Sequence, residues 1–78
     1  MRQQKLETII WLARLGSFRA VAERLNITQA AISQRVASME RELGAKLFER
    51  STRGLKLTPE GATVLSYAER IVDLSAEM

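Results

Sequence analysis

Thr28, Gln29, Ser33 and Gln34 lie within seven residues of one another and carry hydroxyls and carboxamides. Such side chains donate and accept hydrogen bonds without carrying charge, which is the chemistry of recognition rather than of bond making. The groups that bond making most often needs are missing, since the 78 residues contain no cysteine and no histidine. That excludes a disulfide framework, a thiolate or imidazole metal site, and any Cys/His or Ser/His catalytic pair. Glu40 and Glu42 do not form an acid–base dyad, because residues two apart on a helix point to different faces.

The charge around the polar cluster is biased. No carboxylate occurs between Glu23 and Glu40, a stretch of sixteen residues that contains Arg24 and Arg35. Arg50, Arg53 and Lys56 follow close together. Residues 1–58 hold eleven Lys/Arg against five Glu, and residues 59–78 hold one Arg against three Glu and one Asp, so a basic body precedes an acidic segment. A basic body suits a polyanionic partner, and the acidic segment calls for a different task.

Periodicity supplies the elements that would position these groups. Leu6, Ile9, Ile10 and Ala13 form one stripe of a helix over 3–15, and Trp11 with Leu15 makes a second apolar face on it. Gly16 is a left-handed stop and Ser17 a cap for a short helix from Phe18 to Leu25, with Ala22 and Leu25 inward. A tight turn at Asn26 and Ile27 leads to Thr28, the cap of a third helix over 29–43. Ile32, Val36, Met39 and Leu43 form its apolar stripe. Ala30, Ser33, Gln34 and Ala37 lie opposite, while Arg35 falls on a flank, suited to a phosphate or to a surface ion pair. Residues 47–57 read as a β-hairpin with a polar tip over 51–54, Leu55 and Leu57 inward and Lys56 outward. Thr58, Pro59 and Glu60 start a last helix that stays periodic to Met78. With no terminating signal there, continuation of the chain past Met78 is expected.

This order predicts a mainly α fold: a winged helix-turn-helix with a three-helix core and a two-stranded β wing over 1–58, then a linker helix over 59–78. In that motif the second helix of the turn enters the DNA major groove and the wing meets backbone or minor groove. Small and neutral polar side chains on the third helix allow the close approach that base edges require. Thr28 and Gln29, at its N-terminus, also suit a phosphate. A winged helix used only for protein contacts would show apolar residues where this chain shows arginines. Four aromatics, most of them in apolar patterns, offer no stacking platform for single strands, so duplex DNA is favoured over RNA. The longest uncharged run, Leu25 to Gln34, is ten mostly polar residues, too short to span a bilayer, and no membrane partner is expected.

Through Gly16-Ser17-Phe18, Ala20-Val21-Ala22, Leu25, Gln29-Ala30-Ala31-Ile32-Ser33, Met39-Glu40, Leu43-Gly44, Leu47-Phe48, Arg50, Leu57-Thr58 and Gly61 runs a pattern of spaced positions that covers essentially the whole chain. In these residues the chain resembles the N-terminal DNA-binding domain of LysR-type transcriptional regulators. Val21 stands where a second alanine is usual, Ala30 where proline or serine is common, and Met39 where leucine is common. The resemblance implies a bacterial, cytoplasmic, nucleoid-associated regulator and no enzyme. It implies homodimers, or tetramers of the full-length protein, on a two-fold-related operator. A C-terminal effector-binding domain absent from these residues would take a small molecule, so no cofactor is expected here. Thr28, Gln29, Ala30, Ser33, Gln34, Arg35, Arg50 and Arg53 are the candidate DNA contacts, with Arg50 also a candidate structural arginine. Trp11, Val64, Leu65, Ala68, Ile71, Val72 and Ser75 are the candidate dimer contacts, because the last helix is longer than so small a body should cover.

Overall fold

The structure, a computed structural model, describes residues 3–52 and 54–77, with side chains for 4–50, 52 and 54–72. Its elements run α1 (Gln3–Leu15), α2 (Phe18–Leu25), α3 (Gln29–Leu43), β1 (Phe48–Ser51), β2 (Gly54–Leu57) and α4 (Pro59–Glu77). The boundaries follow from capping chemistry. At Gly16 the backbone turns left-handed, φ 69°, which costs a residue without Cβ little. The Ser17 side chain then accepts a hydrogen bond from Ala20 N at 3.1 Å and opens α2. Asn26 closes α2 at φ 58°, and Thr28 Oγ1 accepts from Ala31 N at 3.0 Å to open α3. Gly44 closes α3.

The core gathers Leu6, Ile9, Ile10 and Leu12 of α1, Val21 and Ala22 of α2, Ile32, Val36 and Met39 of α3, Leu47 and Phe48 at the wing, and Ala68 of α4. Burying an aliphatic side chain of this size contributes about 1.5–3 kcal/mol. Three inward assignments change. Ala13 is only half-buried while Leu12 is almost wholly covered. In α2 the second inward residue is Val21 rather than Leu25, which is half-buried. Leu43, at the end of the α3 stripe, keeps 43% of its surface, because α3 outruns the body beneath it just before Gly44.

The wing is a two-stranded antiparallel sheet pairing Phe48 with Leu57, Glu49 with Lys56, Arg50 with Leu55 and Ser51 with Gly54. Pairing therefore reaches one residue further on each strand than the expected tip over 51–54. Leu55 and Leu57 pack against the core and Lys56 is exposed, as the alternation predicts. A two-stranded hairpin is marginal alone and depends on such packing.

Thr58 fastens the wing to α4. Its N–H donates to Leu47 O at 3.0 Å, its hydroxyl donates to Lys46 O and accepts from Gly61 N at 2.9 Å, and the residue is buried. A Cβ on Gly61 would lie 2.0 Å from Leu47 O, so only glycine permits this approach of helix to wing. From there α4 runs along α1.

Candidate nucleic-acid interface

On α3 the apolar stripe of Ile32, Val36 and Met39 is buried, which turns the opposite face to solvent. Gln29, Ala30, Ser33 and Gln34 are all exposed there. Thr28, exposed at the start of the helix, uses its hydroxyl oxygen as the cap. The predicted row is thus assembled on one accessible surface. Ala37 and Ser38 beside it are half-buried, and Ser38 Oγ accepts from Lys5 Nζ at 2.8 Å.

Ser33, Ala37 and Glu40 of α3 and Phe48 and Arg50 of the wing, with Lys46 before it, line a shared cleft, so helix face and wing form one surface. Arg50 is exposed with its guanidinium 5.1 Å from the Phe18 ring centroid, a cation–π contact that orients it toward α2. Glu40 does not project its charge freely into the cleft. Its carboxylate accepts from Leu47 N at 2.8 Å and pairs with Lys46 at 3.8 Å. Lys46, exposed at the cleft, was no sequence candidate, because a lysine after Gly44-Ala45 looks like ordinary loop charge. Arg53 lies outside the described residues. Arg35 is half-buried and bonded to Thr8 on α1, at 3.3 Å from Nη1 to Oγ1, and forms no ion pair among the described residues.

The candidate dimer contacts divide. Val64, Leu65 and Val72 are half-buried and pack against their own core, and Ala68 has no exposed surface. Much of the α4 stripe is therefore covered within the chain, since α1 lies along it, and Ala68 cannot also face a partner. Ile71 keeps 47% of its surface. Tyr67, four residues earlier on the helix and absent from the sequence candidates, keeps 60%. The Ser75 side chain lies outside the described residues. Trp11 is half-buried against the core rather than standing on a separate face. The Arg24 guanidinium sits 4.6 Å and that of Arg14 5.7 Å from its ring centroid.

The profile of the bacterial regulatory helix-turn-helix proteins of the lysR family matches residues 3–62. The chain belongs to the LysR family. Among its relatives, the uncharacterized HTH-type transcriptional regulator y4mQ of Sinorhizobium fredii is 54% identical over 56 residues, covering 72% of this chain and 19% of that protein. The HTH-type transcriptional regulator TfdS of Cupriavidus pinatubonensis is 39% identical over 74 residues, 95% of this chain and 25% of that protein. The chain thus spans about a fifth to a quarter of these relatives. Two solved structures share the fold closely. The DNA-binding domain of CbnR in complex with DNA superposes with a TM-score of 0.92 at 36% identity, covering 99% of this chain and 88% of that one. The DNA-binding domain of BenM with catB site 1 DNA gives 0.94 at 32% identity, covering 100% and 88%. The winged helix-turn-helix is that of LysR DNA-binding domains, and the family consists of transcriptional regulators rather than enzymes. Among the described residues no helix is long and apolar enough to cross a membrane.

Proposed function

We propose that residues 1–58 read double-stranded DNA by placing α3 in the major groove, and that residues 59–78 act as the linker through which two copies pair on a two-fold-related operator. The observation that carries the reading is the exposed row Gln29, Ala30, Ser33 and Gln34, uncharged and beside a wing that presents Arg50 and Lys56. Gln29, Ser33 and Gln34 address base edges, Ala30 offers a methyl group to the groove floor, and Thr28, Arg35 and Arg50 address phosphates. Arg53, near the wing tip, takes backbone or minor groove. In the longer protein a second domain binds the effector, and the regulator works at the bacterial nucleoid.

Binding of a duplex selected from a random-sequence pool tests this reading. The logarithm of affinity should fall with the logarithm of salt concentration, with a slope of about −0.9 per phosphate contacted. Gln34→Ala should narrow the preference for the selected duplex over scrambled ones by about 1–3 kcal/mol. A flat salt response overturns the electrostatic reading, and unchanged preference in Gln34→Ala removes that residue from base contact.

A further inference from the structure

Thr8 is a polar side chain with no exposed surface in the middle of an apolar helix face, between Leu6 and Ile9. A buried hydroxyl must find partners. Thr8 Oγ1 donates to Gln4 O at 2.8 Å, the local bond that a helical threonine commonly makes. Its other bond is not local. It accepts from Arg35 Nη1 at 3.3 Å, across 27 residues and from α1 to α3.

Arg35 is the one cation between Arg24 and Arg41. It follows Gln34 directly, about 100° further round the helix, on the flank next to α1. The two acids that follow it on α3 are otherwise engaged. Lys5 binds Glu42, and Glu40 holds Leu47 N and Lys46. A guanidinium offers five N–H donors in a rigid fork, and Thr8 occupies one of them. The half-buried side chain is thus held at one nitrogen while the rest of the fork keeps donors for an acceptor outside the chain.

We infer that Thr8 is a positioning residue for DNA binding: it fixes the Arg35 guanidinium at the edge of the recognition face, where its remaining donors meet a phosphate of the groove wall. The inference rests on the reading above that α3 enters the major groove. An arginine already held in place loses less side-chain freedom when it takes up the phosphate, so a buried residue that never touches DNA contributes to affinity.

The test is a double-mutant cycle on duplex affinity, using the pool-selected duplex and following fluorescence anisotropy across a salt series. Arg35→Ala should weaken binding about tenfold, by a similar factor on all duplexes, and make the salt slope shallower by about one. Thr8→Val, of matched shape, should weaken it about two- to tenfold in the unmutated background and not at all in Arg35→Ala. Thr8→Ser should restore it. If the valine variant does not fold, Thr8→Cys, with a weak acceptor, completes the same cycle. Unchanged affinity in Arg35→Ala overturns the inference, as does a threonine effect of equal size in both backgrounds. Both of those outcomes presuppose steep salt-dependent binding by the unmutated protein. Its absence would instead fail the groove-binding reading, and this inference with it.

Discussion

Lys5 shows how one side chain settles several others. Its amine donates to Ser38 Oγ and to the Glu42 carboxylate, joining α1 to the far half of α3. That hydrogen bond, and then the Lys5 charge, hold the Glu42 carboxyl below its ordinary value. A carboxylate whose folded value is depressed adds stability that is complete above the unfolded value, about 4.3, and is lost as acid carries it through the folded one. Glu42→Gln should therefore lower the melting temperature slightly at neutral pH, and its gap from the unmutated protein should close as pH falls below about 4. Thermal melts of both proteins between neutral and acidic pH check this, and a constant gap would deny the pair its role. The effect is small because the pair is largely at the surface.

At the scale of elements, most of the architecture was legible. From the end of α1 to the end of α3 the helix boundaries fall at residues whose capping chemistry is local, so Gly16, Ser17, Asn26, Thr28 and Gly44 announce themselves. What escaped depends on neighbours in space. Leu12 and Val21 fall off the simplest stripe yet are buried, because α1 is flanked by α2, α3 and α4 together and α2 packs on both α1 and α3. Leu43 fits the stripe but overshoots the body. Thr8 could not be told from a surface threonine until Arg35 was seen against it. Gly61 was legible as a family position, and the structure supplies its reason in the approach of α4 to the wing. Gly61→Ala should destabilise the domain by about 1–3 kcal/mol, since Leu47 O belongs to the backbone and cannot step aside as a side chain would. Urea denaturation measures the loss, and a stability equal to or above that of the unmutated protein would contradict the tight approach.

For the whole molecule, the proposed pairing of two copies would fall to the exposed flank of α4, apart from the face that folds against the chain's own core. Tyr67 and Ile71 stand four residues apart on that flank, whereas Ala68 between them is sealed against the chain's own core. A double change, Tyr67→Glu with Ile71→Glu, should leave helical circular dichroism intact while converting dimers to monomers in light scattering. Duplex affinity should then drop by about a hundredfold, because two half-sites are no longer held together. Unchanged mass would place the pairing surface elsewhere. One further property follows from the knot at Thr58. A single residue, itself tied by four hydrogen bonds, separates β2 from α4. With so short and so firmly bonded a joint, a rotation of the last helix would carry the hairpin along with it instead of dissipating in a hinge.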